Sequence, residues 1–348
     1  KIALLLDTSG SMDGLLEQAK SQLWKIVNQL AMAKKNDTQA SLEIALYQYG
    51  NDGLNSREGY IQNILPLTSD LDDLSEKLFA LRTNGGEEYC GYAIQTATNQ
   101  LNWNTDIDDL NLIFIAGNEP FNQGSVDYSK SCRNAIAKNI TVNTIFCGDY
   151  ETGISSKWLE GAKITEGNYI NIDMNQKTVY VETPYDDKIN ALNDSLNNTY
   201  ISYGKQGKFK KDNQLAQDNN SAQYSSANKV SRTISKSSHL YSNEKWDLVD
   251  AKKNKSFDIK EVENESLPKE MQQLNEEEKI VYIESKDKKR EEIKQQKNTI
   301  NKQRLAYIAE KSSMSASESL DDAMINAIKK QAKKKGFTFD SDETLTEL

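Results

Sequence analysis

The chain has 348 residues, of which 27% are charged and 37% hydrophobic, with a net charge of −9 and a mean hydropathy of −0.74. At ~150 residues per domain this length suggests two units, and the acidic balance argues against nucleic-acid binding as the main task. The longest apolar run, Ile2 to Leu6, is too short for a membrane-spanning helix, and one histidine, His239, excludes the usual Ser/His/Asp and Cys/His catalytic machinery.

The charge is unevenly spread. Residues 1–204 hold 15 Lys and Arg against 27 Asp and Glu, whereas residues 205–348 hold 28 against 25. In the first part, strand and helix signals alternate. Ile2–Leu6 reads as a strand buried on both faces. Leu15–Leu30 then repeats apolar residues at helical spacing, and Ser41–Tyr49 alternates as a strand does. A weaker strand follows at Tyr60–Leu65, then helices at Leu71–Leu81 and Glu87–Leu101. Asn111–Ala116 and Thr141–Cys147 are further buried strands, separated by a helix over Val126–Lys138. Tyr169–Ile172 is a short strand, and Pro184–Leu196 a helix with Thr183 as its N-cap. This order predicts an α/β fold: a Rossmann-like, mostly parallel sheet with helices on both faces. Ligand sites in such sheets lie at the carboxyl ends of strands, where the strand order reverses.

The second part reads differently. Residues 205–260 are rich in Ser, Asn, Gln and Lys, which predicts a polar linker or extension. Residues 268–311 read as one long polar helix whose heptad is broken by Lys297 and by the Lys286–Glu292 charge run. A last helix carries Leu320, Ala323, Met324, Ala327, Ile328 and Ala332 on one face, with Ser319 and Asp322 as its capping pair. The expected organisation is therefore a domain over 1–200, a linker over 201–260 and a helical C-terminal region over 261–348.

The sharpest local signal is Asp7-Thr8-Ser9-Gly10-Ser11-Met12 after the first strand. It delivers one carboxylate and two hydroxyls onto a tight turn that opens a helix. Hard oxygen donors at alternate positions suit Mg²⁺, which prefers an octahedral oxygen shell and keeps several waters. The alternative is a capped helix start, with Ser9 or Ser11 as N-cap and Asp7 satisfying backbone amides.

This Asp-x-Ser-x-Ser loop resembles the metal-ion-dependent adhesion site (MIDAS) of the von Willebrand factor type A (VWA) domain family, a resemblance that spans roughly residues 1–200. It implies a metal held by Asp7, Ser9 and Ser11 from the first loop and by Thr83 from the second. The family's third loop usually supplies an aspartate, and here Gly117 stands in its place. Asn118 and Glu119 are the substitute third-loop ligands. The implied ion is Mg²⁺, with Mn²⁺ or Ca²⁺ as alternatives. The implied partner is a protein that presents an Asp or Glu carboxylate to the ion's open position. The composition and the Gly-Asn-Glu-Pro-Phe loop are similar to uncharacterised bacterial secreted or periplasmic VWA proteins.

Three cysteines are too few for a disulfide framework, and no Cys-x-x-Cys occurs. Helices before and after the fourth strand should share a sheet face. A Cys90–Cys132 disulfide is thus one option, with Cys147 as an alternative partner and buried free thiols as the other reading. The chain opens directly in a strand, which we read as a removed leader or an excision from a longer protein. The expected location is extracytoplasmic. The function expected first is a non-enzymatic protein-binding module. The alternatives are a scaffold that acts through its helical tail and an accessory subunit of a separate ATPase or chelatase, since no P-loop is present.

Overall fold

The computed structural model describes residues 1–174, 181–311 and 320–339. The chain divides into two compact units, Lys1–Thr178 with Ser317–Leu348, and Val179–Ala316. The first unit runs β1 (Ile2–Asp7), α1 (Asp13–Leu30), β2 (Ala33–Lys35), β3 (Thr38–Gln39), β4 (Ile44–Tyr49), β5 (Ile61–Thr68), α2 (Leu71–Ala80), α3 (Cys90–Gln100), β6 (Asn111–Gly117), α4 (Tyr128–Ala137), β7 (Ile140–Cys147), α5 (Tyr150–Ser155), α6 (Trp158–Ile164) and β8 (Tyr169–Ile172). The second holds α7 (Asp186–Asn197), α8 (Gly207–Ala222), α9 (Ser226–Ser235), α10 (Leu248–Ala251), α11 (Lys269–Gln272) and α12 (Glu276–Lys311). The chain then returns to the first unit with α13 (Leu320–Lys334) and β9 (Phe337–Phe339).

The sheet of the first unit has the order β5-β4-β1-β6-β7-β8 and is parallel except for β5. Successive side chains alternate between its faces. Ala3, Leu5, Tyr47, Tyr49, Ile113 and Ile115 pack on one side with Ile94, Cys132 and Trp158 from α3, α4 and α6. Their neighbours Ile2, Leu6, Leu46 and Phe114 are buried toward the other side, where α1 packs against α2 and α13. Because β1 lies between β4 and β6, the strand order reverses at its carboxyl end. Asp7 is the last residue of that strand.

The division at 200 and 260 expected from the sequence requires correction. The last helix belongs to the first unit: Leu320, Ala323, Met324, Ala327, Ile328 and Ala332 are buried. The Asp321 N–H donates to Gln22 Oε1 at 2.9 Å, and Lys25 pairs with Asp321 and Asp322 on this helix. β9 also pairs antiparallel with β2 in a small three-stranded sheet. The second unit is thus an insertion between β8 and α13 in the chain. Ser319, expected as the cap of that helix, lies outside the described residues.

The polar linker is also corrected, because residues 207–222 and 226–235 are helices with buried faces. Besides Gly207 at its start, the buried positions on α8 are Asn213, Gln214, Gln217, Asp218 and Ser221. The helical period is present but is carried by polar residues, so a reading of apolar periodicity passes over it. Asp218 Oδ2 accepts from Asn193 Nδ2 (2.8 Å), Asn197 Nδ2 (2.9 Å) and Lys236 Nζ (2.9 Å), and its Oδ1 accepts from Arg232 Nε (3.0 Å). On α12, Arg290 donates to Asp247 Oδ2 (2.7 Å) and Asp250 Oδ1 (2.9 Å) and lies over the Tyr200 ring. Buried Lys297 donates to the Thr233 carbonyl at 2.5 Å. It marks no break in the helix, since its stem and amine belong to the buried seam. A separate apolar cluster gathers Ile201, Leu248, Val249, Ile259, Leu267, Met271 and Ile283.

Candidate metal centre

The strand β1 carries Asp7 into the interior, where its side chain is fully buried. Its Oδ1 accepts the Ser9 N–H at 2.7 Å, a local turn that folds the next residues back over the strand end. Its Oδ2 is buried and has no hydrogen-bond partner. The helix that follows is not capped by either serine: its N-cap is Met12, with no side-chain cap hydrogen bond. The hydroxyls of Ser9 and Ser11 instead face each other at 3.4 Å, and Asn118 Nδ2 donates to Ser11 Oγ at 3.1 Å. Neither serine therefore caps the helix, although Asp7 does satisfy one backbone amide as the capping alternative expected.

The second loop is tied to the first by main-chain bonds. The Asn84 N–H donates to the Thr8 carbonyl at 2.9 Å, and the Asp52 N–H donates to the Gly85 carbonyl. Thr83, the ligand implied for this loop, is turned aside: its hydroxyl donates to Asp13 Oδ1 at 2.5 Å. The second loop also brings Glu88, which is 6% exposed, toward Asp7. A Cβ on Gly50 would lie 2.7 Å from Glu88 Cγ and 2.8 Å from Asp7 Oδ1, so both acids crowd one point. Gly50 also has φ +76°, and glycine meets both demands there.

Sequence reasoning missed Glu88. The available signal was a Gly85-Gly86 turn followed by two glutamates immediately before a helix. The threonine drew attention because the family pattern names that residue type.

The third loop is built around Gly117. A Cβ there would lie 2.6 Å from Tyr49 Oη and 3.0 Å from Asp7 Oδ2. The missing aspartate is thus more than a lost ligand, because the space of its side chain is taken by the Tyr49 hydroxyl, which donates to the Ala116 carbonyl at 2.9 Å. Of the two substitutes, Asn118 reaches Ser11, and its Oδ1 is buried without a partner. The Glu119 side chain is exposed, while its carbonyl accepts from Trp158 Nε1 at 2.8 Å.

The electrostatics follow from burial. Burial pushes the Asp7 carboxyl up to about 8, against the bond from the Ser9 amide, with the charges of Glu88 and Glu119 adding to the rise. Burial likewise pushes Glu88 up to about 7, with the charge of Glu119 adding to the rise. Two carboxyls are held side by side with hydroxyls around them. Among the described residues, no group of three or more His, Cys, Asp or Glu converges as a metal site. A cation here would rest on the two acids and on serine oxygens. The residues fit a small hard divalent ion, since the buried Asp7 oxygen lacks a hydrogen-bond donor and the candidate ligands of the first loop are carboxylate and hydroxyl oxygens.

The disulfide option is corrected as well. Cys90, Cys132 and Cys147 are all buried free thiols. Cys90 Sγ lies 3.7 Å from Tyr49 Oη, and burial pushes Cys132 up to about 12, so neither thiol is poised to react. The thiols therefore lend no support to an oxidising compartment. Among the described residues, no helix is long and apolar enough to cross a membrane.

Residues 1–160 match the family model of the von Willebrand factor type A domain, and this part of the chain is a VWA domain. No curated protein matches the chain. Among solved structures, the chain is similar to the conserved hypothetical protein BatB from Bacteroides thetaiotaomicron at 18% identity and a TM-score of 0.38, covering 49% of this chain and 89% of that one. It is similar to the SpRpn10 VWA domain at 15% identity and a TM-score of 0.37, covering 51% and 98%. It is also similar to proximal thread matrix protein 1 from the mussel byssus at 13% identity and a TM-score of 0.38, where it spans only 41% of that chain's length.

Proposed function

We propose that the chain is a non-enzymatic interaction module whose VWA domain holds a divalent cation, Mg²⁺ or else Mn²⁺ or Ca²⁺. Asp7, Ser9 and Ser11 form the first-loop part of the site, with Asn118 beside Ser11. The observation that carries the reading is the Asp7 Oδ2 atom, buried at the switch point of the sheet with no donor. A buried unpaired carboxylate oxygen is costly, and a cation is the group that would satisfy it. When bound, the ion would act as a Lewis acid that accepts an oxygen ligand from outside. The partner proposed is a protein that offers an Asp or Glu side chain, and the proposed location is extracytoplasmic.

Thermal unfolding in chelator and then in Mg²⁺, Mn²⁺ and Ca²⁺ tests this. A ligand that binds only the folded state adds ~2.7 kcal/mol at 100 times its Kd. The expected result is a metal-dependent rise in Tm that disappears in Asp7→Asn. No shift at millimolar metal would end the metal-dependent reading and leave a scaffold role.

A further inference from the structure

We propose that Glu88, and not Thr83, is the second loop's ligand to the cation, so that two buried carboxylates close the site together with Ser9 and Ser11. The inference rests on the reading above and departs from the ligand set that the family resemblance implies.

Three observations carry it. Glu88 Cγ and Asp7 Oδ1 lie 2.7 and 2.8 Å from the single point where a Gly50 Cβ would sit, so the second loop delivers its acid beside the first loop's acid. The main chain of the second loop is also tied to the first, the Asn84 N–H donating to the Thr8 carbonyl at 2.9 Å. Thr83 has its hydroxyl committed to Asp13, outside this group. Independently, Asp7 Oδ2 is fully buried and has no partner, so the space beside it calls for a positive group.

The chemistry is that of charge balance. Two carboxylates buried together repel each other, and a doubly charged cation cancels both charges. Carboxylate and hydroxyl oxygens select hard ions such as Mg²⁺ and Mn²⁺. No third acid is then needed, which accounts for a third loop that places Gly117 against Asp7 where the family has an aspartate. The carboxylate missing from the third loop is supplied by the second.

The test is calorimetric titration of the full chain, freed of metal by chelator, with MnCl₂ and MgCl₂. Wild type, Glu88→Gln, Glu88→Asp and Thr83→Val are compared. Wild type should bind one ion, and Glu88→Gln should bind it at least about tenfold more weakly, as loss of a metal-site group does. Glu88→Asp, which keeps the charge on a shorter arm, should fall between them, and Thr83→Val should stay within about twofold of wild type. Circular dichroism in chelator checks that the variants fold; if Glu88→Gln does not, Glu88→Asp carries the comparison. Weakening in Thr83→Val with none in the Glu88 variants would overturn the inference and leave the metal-dependent reading standing. No ion bound by wild type would overturn both.

Discussion

Replacing Asp218 by Ala removes a carboxylate that faces two buried cations. Lys236 and Arg232 are fully buried, and Asp218 takes hydrogen bonds from both and from Asn193 and Asn197. The variant keeps the amide oxygens around Lys236 but removes the carboxylate that Lys236 and Arg232 share. Breaking a buried pair by removing one partner costs about 3–5 kcal/mol. A loss of about 4 kcal/mol corresponds to roughly a thousandfold in an opening equilibrium. Hydrogen exchange read by peptide is the suitable assay because it reports the two units separately, where a single global melt would not. Protection over α7, α8 and α9 should collapse by that factor, or to the limit set by local opening, while β1, β6 and β7 keep theirs. Asp218→Asn, which preserves shape but not charge, should lose most of the same protection. A drop of less than about tenfold in the Ala variant would refute the view that this ionic core holds the unit together.

Two further predictions concern the first unit. In metal-free protein, the folded pKa values of Asp7 (about 8) and Glu88 (about 7) lie above the unfolded values of about 3.9 and 4.3. The folded state therefore binds protons that the unfolded state does not, and stability should rise as the pH falls from about 8 toward 5. Urea unfolding in chelator across that range checks the slope, which should shift toward rising stability with pH in Asp7→Asn/Glu88→Gln, because the Lys1 α-amino group, pushed down to about 6 by burial, contributes the opposite sign; no difference between wild type and variant would count against the burial of these acids. Gly117→Ala places a Cβ 2.6 Å from Tyr49 Oη, and overpacking of this kind costs about 1–3 kcal/mol. Tyr49→Phe removes the obstructing hydroxyl, so the double variant should cost less than the sum of the singles, and strict additivity by urea unfolding would place the strain elsewhere.

The first unit was legible because its signals are apolar and regular. Tyr169–Ile172 lies where the sequence places it, and Leu71–Ala80 differs from expectation by one residue. The loop geometry around Asp7 was only partly legible. Asp7, Ser9 and Ser11 sit on one loop, so their spacing reveals them. Glu88 comes from a loop far along the chain, and it meets Asp7 only because Gly50 leaves room for both. No local spacing encodes that meeting. The partner of Thr83 was equally unreadable, since its hydroxyl donates to Asp13, a residue the motif leaves out.

The second unit was missed for a different physical reason, and α12 shows it. The buried residues of that helix include Ile283, Arg290, Lys297 and Arg304, which recur at seven-residue spacing, with Ile293 beside them. Three of the four seam positions are cations. Val281 and Leu305, which apolar counting takes as part of the repeat, are 64% and 50% exposed. A heptad seam is ordinarily recognised by apolar residues at its inner positions, and a search for those reports disruption at Lys297. Here long basic side chains bury their stems and carry their charges to fixed acceptors: Arg290 to Asp247 and Asp250, Arg304 to Asp186, Lys297 to the Thr233 carbonyl. Such a seam fixes which helices meet, because each cation has one set of acceptors, whereas apolar contacts would tolerate sliding. The high charge of the second half of the chain therefore does not mark an unstructured tail; part of that charge forms the interior.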